Sequence, residues 1–301
     1  MTKPNDSSAA SKLGPGSDRG ELGLVATPIG NLGDISPRAA DYLKSADAIA
    51  CEDSRITIRL LQHLGLKKPL LTYHDHNAEE MRPKLLGRVA AGERVALVSD
   101  AGTPLISDPG FKLVRAAAEQ GLKVTALPGP SAPLMALILS GLPTDRFLFL
   151  GFLAPKSAAR RAELEEVATL RASLILFETA PRLVQALDDL LAVLGNRPAA
   201  VARELTKMFE EVRRGTLREL HEHYAEAGPP KGEIVIVVGP PLAEAPATGD
   251  DLDAALLKAL GAMRVKEAAE AVAAATGRPK RLVYQRALEL KQQASDDDGD
   301  G

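Results

Sequence analysis

The sequence predicts an α/β protein of two domains with a small helical unit near the C-terminal end. Three observations carry this expectation. Short apolar runs alternate with stretches of helical period, the pattern of a parallel or mixed sheet covered on both faces. Pro128-Gly129-Pro130 interrupts the alternation, and a second set of elements begins near Phe147. Beyond Gly239-Pro240-Pro241, a Pro/Ala stretch from Ala243 to Gly249 leads into three short helical patterns. A chain of 301 residues, 45% of them hydrophobic, can bury cores of this size. The domains are expected over 20–128 and 129–240, and the helical unit over 250–293.

Residues 1–19, rich in Ser, Gly, Pro and charge, read as a disordered leader. Leu22 to Thr27 is a short buried strand closed by Pro28 and Gly30. A helix over 37–45, a strand over Ala48 to Cys51 and a helix over 54–64 follow; the last carries Ile58, Leu61 and Leu64 at helical spacing. Next come a helix over 78–91 ended by Gly92, a strand over Arg94 to Ser99, a helix over 110–120 and a strand over Lys123 to Leu127. In the second domain, strands are expected at Phe147–Leu150, Leu174–Phe177, Ala199–Ala202 and Glu233–Val238, with helices over 158–170 and 181–193. Helices over 251–260, 264–275 and 279–292 close the chain, and 294–301 reads as a disordered acidic tail.

Composition bounds the chemistry. A net charge of −3 does not by itself mark a nucleic-acid binder, so that reading depends on local basic clusters. Cys51 is the single cysteine, which excludes an internal disulfide and a Cys-rich zinc site. No apolar run approaches the roughly 18 residues that span a bilayer, and the leader lacks an apolar signal core. A cytoplasmic protein without membrane contact is expected.

The segment richest in chemistry is Ser99-Asp100-Ala101-Gly102-Thr103-Pro104-Leu105-Ile106-Ser107-Asp108-Pro109-Gly110. An apolar strand empties into a loop holding Gly, Pro and Asp, and then into a helix. Open α/β sheets place ligands at such carboxyl ends. Glycine admits close backbone approach, and Asp accepts hydrogen bonds from hydroxyl or amino groups. No G-x-G-x-x-G or Walker A pattern is present, which argues against a dinucleotide or nucleoside-triphosphate fold.

Val25-Ala26-Thr27-Pro28-Ile29-Gly30-Asn31-Leu32-Gly33-Asp34-Ile35 resembles the opening strand and loop of the ribosomal RNA ribose 2′-O-methyltransferases within the tetrapyrrole-methylase superfamily. So do Cys51-Glu52-Asp53-Ser54-Arg55, Ser99 to Gly110, Pro128-Gly129-Pro130-Ser131-Ala132 and Phe177-Glu178-Thr179-Ala180-Pro181-Arg182. Arg203-Glu204-Leu205-Thr206-Lys207 and Lys231-Gly232-Glu233 complete a resemblance that covers about residues 20 to 292. The family's usual E-D-T-R reads Glu52-Asp53-Ser54-Arg55 here, which keeps the hydroxyl. The resemblance implies a two-domain tetrapyrrole-methylase-like fold with S-adenosylmethionine in the cleft between the domains. It also implies methylation of the 2′-oxygen of a cytidine of 16S ribosomal RNA (cytidine 1402), on free RNA or the small subunit, by a homodimer.

Carried over position by position, Asp100, Ala101, Gly102 and Ile106 would line the cofactor, with Ser131 and Ala132 beside it. Phe177, Glu178, Ala202 and the turn of Lys231, Gly232 and Glu233 would contribute from the second domain, and Pro28 would lie beneath. Because a ribose hydroxyl is a weak acid, a base or a neighbouring cation should help it lose its proton. The candidates are Glu52, Asp53, Arg55, Glu204 and Lys207, with Glu178 also considered. Lys207 would serve if desolvation beside Arg203 lowered its pKa, and Arg55 could hold a phosphate or the oxyanion. Alternatively, Glu52 to Arg55 caps a helix, with Ser54 as a good cap residue, and forms ion pairs.

His74-Asp75-His76 resembles half of a metal site but lacks an evident third ligand, so no metal is expected. Basic clusters lie at Lys156 to Arg161, at Arg213-Arg214 and at Arg278 to Arg286, the last on the final helix of a unit that resembles a helix-turn-helix RNA-binding appendage. Two rival functions stand beside the main one. A tetrapyrrole- or corrin-pathway methylase would share fold and cofactor, and a non-catalytic RNA-binding protein would lack the intact Asp100-to-Gly110 loop.

Overall fold

The computed structural model describes residues 20–242, 249–276 and 278–297. The leader over 1–19, most of the expected linker (243–248) and residues 298–301 lie outside the described residues.

The first half alternates strand and helix: β1 (Glu21–Val25), α1 (Pro37–Ser45), β2 (Ala48–Cys51), α2 (Ser54–His63), β3 (Leu70–Thr72), α3 (Ala78–Ala90), β4 (Arg94–Val98), α4 (Phe111–Glu119) and β5 (Lys123–Leu127). The strands form one parallel sheet in the order β3-β2-β4-β1-β5. Both faces are covered, and alternation along β4 shows why its sequence is almost continuously apolar. Ala96 and Val98 pack with Leu43 of α1 and Leu61 of α2, while Val95 and Leu97 pack with Leu85 of α3 and Leu113 of α4. Gly23 is required in β1, since a Cβ there would lie 2.2 Å from the ring of Tyr42. Asp53, and not Ser54, is the N-cap of α2, accepting from the Arg55 N–H at 2.8 Å.

The second half contains α5 (Ala132–Ser140), β6 (Phe147–Phe152), α6 (Ser157–Val167), β7 (Ser173–Thr179), α7 (Leu183–Leu194), β8 (Pro198–Arg203), β9 (Glu211–Thr216), α8 (Leu217–Ala227) and β10 (Glu233–Val238). Its sheet is mixed, in the order β6-β7-β10-β8-β9; β6 and β7 are parallel and the other neighbours antiparallel. One face packs Leu176, Val201 and Ile236 on α6, α7 and α8. The other packs Ile175, Ala202, Val235 and Val237 on Ala136 and Leu137 of α5, and Ile29 from the loop after β1 joins this cluster. The two sheets belong to one compact unit, and residues from Pro241 onward form another.

Three segments differ from their sequence reading. α5, to which the sequence reading assigns no element, buries Pro133, Ala136 and Leu137 as it packs on the second sheet but exposes Leu134 and Ile138, so it is apolar on both faces and shows no amphipathic stripe. Lys156 to Arg161 is no open basic patch: Arg160 is wholly buried and donates to Asp189 on α7. Arg214 donates to the carbonyl of Leu139, and Arg213 pairs with Glu211.

The second unit holds α9 (Gly249–Leu260), α10 (Val265–Thr276) and α11 (Lys280–Asp297) around Leu252, Leu256, Val272, Val283, Ala287 and Leu290. α11 runs past the expected end at 292, since neither Gly nor Pro interrupts it before Gly299. Arg286, counted among the basic residues of this helix, is held by Asp253 and Glu289 at 2.6 and 2.7 Å.

Candidate active site

The strand order of the first sheet reverses at β1 and β4: from β1 the chain crosses over to β2, and from β4 it returns past β1 to β5. Ligands of open α/β sheets bind outside the carboxyl ends of strands at such a switch point. Here the loops after β1 and β4 are joined by a two-bond bridge. Thr27 N–H donates to the Gly102 carbonyl at 2.9 Å, and Gly102 N–H to the Thr27 carbonyl at 3.1 Å. Ser99 Oγ donates to the Gly102 carbonyl, and Thr103 Oγ1 to that of Pro130 at 3.1 Å, which ties in the loop after β5.

Facing these loops is the second sheet, and between them lies a cleft of about 430 Å³. Its first wall is Ile29, Ala101 to Thr103, Ile106 to Asp108 and Ser131 to Pro133; its second is Phe152, Phe177 to Pro181, Leu205 and Gly232 to Val235. The loop after β4 is held in an unusual backbone conformation. Gly102 has φ +84°, while Leu105 and Ser107, at φ +73° and +64°, occupy the left-handed region despite their side chains. Non-glycine residues there cost on the order of 1–3 kcal/mol and collect at functional sites. Apolar walls with a few convergent polar groups suit a nucleoside-sized ligand.

Glu178 is set into the wall of the cleft, with no exposed side-chain surface. Its side chain is buried, and Oε1 accepts from Thr179 N–H at 2.7 Å with Arg182 Nε 3.1 Å away. Oε2 is equally enclosed and has no protein partner. A buried carboxylate oxygen without a donor is costly.

Of the residues expected at the cofactor, Ala101, Gly102, Ile106, Ser131, Ala132, Phe177, Glu178 and Gly232 line this cleft. Four others stand back from its wall. Pro28 is buried one residue before Ile29. Asp100 turns its carboxylate to the Asp53 N–H at 3.0 Å. Ala202 is fully buried in the cluster with Leu205 and Val235. Lys231 lies on a separate groove, where its carbonyl faces Arg203.

None of the five catalytic candidates is among the lining residues. Asp53 and Arg55 are joined at 2.6 Å, with the guanidinium in solvent; its hydrogen bonds, together with that of the Arg55 N–H, hold the carboxyl at about 2. Glu52 is raised above the usual carboxylate range by burial and by Asp100 and Asp75 nearby. The lowered pKa that a basic role for Lys207 would need is not what its surroundings produce. Burial pulls its pKa down, but its hydrogen bonds to Glu233 and Glu204, each 2.9 Å, outweigh this and raise it. Glu204 is held low, first by Lys207. This pair braces the loop after β8 against the loop after β1, since a Cβ on Gly30 would meet Lys207 Cγ at 2.5 Å.

Glu233, part of the expected Lys231-Gly232-Glu233 turn, also lines the cleft, while residues not expected at the site include Ile29, Thr103, Ser107, Asp108, Phe152 and Leu205. Asp108 is the most consequential. Burial, with Glu52 and Asp100 adding negative charge, pushes its carboxyl up to about 6 against the lowering effect of the nearby Ser99 hydroxyl. His74 and His76 stand ring to ring at 5.9 Å; among the described residues no group of three His, Cys, Asp or Glu could hold a metal ion. No helix among these residues is long and apolar enough to cross a membrane.

Comparison with known proteins agrees with this geometry. The family described as Tetrapyrrole (Corrin/Porphyrin) Methylases matches residues 21–221, and the RsmI C-terminal HTH domain matches 246–291. A protein of Mesorhizobium japonicum named ribosomal RNA small subunit methyltransferase I is 50% identical over 92% of this chain and 95% of its own. Proteins of the same name from Erythrobacter litoralis and Pseudomonas aeruginosa are 53% and 45% identical, covering 94% and 90% of this chain and 98% and 97% of their own. Among solved structures, cobalt precorrin-4 methyltransferase superposes with a TM-score of 0.55 at 18% identity, covering 73% of this chain and 94% of that one. Diphthine synthase superposes at 0.57 and 19% identity, covering 73% and 90%. These two likenesses show the fold. The chain belongs to the tetrapyrrole (corrin/porphyrin) methylase family and, within it, to the ribosomal RNA small subunit methyltransferases I.

Proposed function

We propose that the protein methylates the ribose 2′-oxygen of a cytidine in 16S ribosomal RNA, cytidine 1402 by family resemblance, with S-adenosylmethionine as donor. The observation that carries this reading is the cleft at the switch point, largely apolar on its walls and lined by the strained loop after β4. Ile29, Ile106, Phe177, Leu205 and Val235 would enclose the apolar parts of the donor. Bound there, the donor supplies an electrophilic methyl group on a cationic sulfur.

The protein's part is orientation and exclusion of water. Thr27, Ser99, Gly102 and Thr103 fix the first wall through the bonds between their loops. Asp100, Asp108 and Glu52 surround it with negative charge that favours a cation and repels RNA phosphates. RNA must therefore be gripped elsewhere, and the C-terminal helical unit is the part of the chain proposed to do it.

The test is mass spectrometry of ribosomal RNA from cells with and without the gene, paired with transfer of labelled methyl groups to 16S RNA and to small subunits in vitro. Loss of one ribose methyl group on a 16S cytidine is expected. Unchanged ribose methylation, or transfer only to a macrocyclic tetrapyrrole, would overturn the reading.

A further inference from the structure

Three carboxylate side chains belong to residues lining the cleft: Asp108, Glu178 and Glu233. Two are engaged by cations. Glu178 lies 3.1 Å from Arg182 Nε, and Glu233 accepts from Lys207 Nζ at 2.9 Å. Asp108 forms no ion pair among the described residues. The charges that face it are negative, Glu52 following β2 and Asp100 following β4, and the Ser99 hydroxyl nearby opposes their effect. Around Glu52 stand Asp53, Asp75 and His74. No other carboxylate on the cleft wall is free of a cation, so none is as ready to take up a proton.

The backbone reinforces this. Ser107, immediately before Asp108, has φ +64°, and Leu105 has φ +73°. Gly110, at φ +138°, lets the chain fold back so closely that a Cβ there would lie 3.0 Å from both Leu105 and Leu97. A relaxed turn would avoid this strain, and what the strained turn achieves is to bring Ser107 and Asp108 onto the cleft wall.

We propose that Asp108 is a catalytic residue, the acceptor of the proton that leaves the attacking 2′-hydroxyl. This rests on the methyltransferase reading above. The hydroxyl proton passes to an Asp108 carboxylate oxygen as the ribose oxygen forms its bond to the methyl carbon. The carbon–sulfur bond breaks with its electron pair remaining on sulfur. The balance is a methyl ether, a neutral thioether and one proton on Asp108, later lost to water. A base poised at about 6 is ionised at neutral pH yet still basic enough to assist.

The experiment uses the full chain with small subunits as substrate and measures single-turnover rates across pH, alongside calorimetric donor affinity. D108N is expected to lower the rate near neutral pH by about 100-fold or more, while donor affinity stays within roughly threefold. D108E is expected to recover part of the rate. The wild-type rate should rise with pH through about 6 and level off, because only ionised Asp108 accepts a proton; D108N should lack that rise. In the free protein, carbon-13 NMR should show one Asp carboxyl titrating near 6 that D108N removes.

An unchanged rate in D108N overturns the proposal. So does donor affinity that falls in step with the rate, which would make Asp108 a donor ligand. A wild-type protein that binds donor but methylates neither 16S RNA nor small subunits overturns the function and this assignment together, so the two failures are distinguishable.

Discussion

Arg160 Nε donates to Asp189 Oδ2 at 2.7 Å, and neither side chain is more than 1% exposed. Ser157 Oγ donates to the same carboxylate at 2.7 Å, and Arg161 Nε also bonds to it. A buried charge left without its partner is far costlier than the intact pair is stabilising, so Asp189→Ala should destabilise the protein by about 3–5 kcal/mol. Burial raises the Asp189 pKa, but the bonds from Arg161, Ser157 and Arg160 more than offset it and leave it lowered. Its contribution is therefore present above the ordinary carboxylate pKa and lost as pH falls below it. Denaturant unfolding of the variant near neutral pH, and of the wild type in acid, checks both statements.

Gly102→Val should abolish donor binding while leaving the protein folded. At φ +84° a β-branched side chain is strained, and the new Cβ would sit 3.2 Å from Ile29 Cγ2 at the cleft wall. An affinity loss of more than about tenfold is expected. Calorimetry with S-adenosylmethionine, with circular dichroism as the check on folding, decides it; undiminished affinity in a folded variant would remove this loop from the donor site.

Deleting 241–301 should leave donor affinity intact and weaken binding to the small subunit. The effect on salt dependence should be small, about one or two units of slope, because Arg286 already answers Asp253 and Glu289 within the unit. A control lacking only 295–301 removes four Asp and separates the effect of the acidic tail. Equal affinity and slope for full-length and shortened proteins would reduce the unit to a structural appendage.

Cys51 should resist thiol reagents until the protein unfolds. It has no exposed surface, and burial raises its pKa against a hydrogen bond with Thr57. Labelling with an aromatic disulfide in increasing denaturant should track the unfolding transition; rapid labelling without denaturant would contradict this packing.

The apolar runs at Leu22, Ala48, Val95 and Val124 announce the first sheet because buried parallel strands must be apolar on both faces. Elements that escape this rule were illegible. β3 has only three residues, and β9 reads Glu-Val-Arg-Arg-Gly-Thr because it is an edge strand with charged neighbours. α8 did carry a signal, the reciprocal Thr216–Glu219 capping box, at the head of a stretch that otherwise looks merely polar. At the site, the loop after β4 was legible from its Gly, Pro and Asp content. Which of its acidic residues lines the cleft was not. Asp100 points away to Asp53, whereas Asp108, in a Ser-Asp-Pro-Gly string that reads as an ordinary turn, is on the wall because Leu105 and Ser107 adopt left-handed conformations no sequence rule assigns them.

The position of β1 constrains the order of synthesis and assembly. Glu21–Val25 is flanked on one side by Arg94–Val98 and on the other by Lys123–Leu127. A nascent chain that has emerged only as far as α3 carries β1 with neither neighbour, its backbone donors and acceptors unmatched on both edges. At roughly 5–20 residues per second, one edge stays open for several seconds or more, until β5 arrives. Until then the strand is a template for other extended segments, and the first sheet closes only when its last strand docks beside its first.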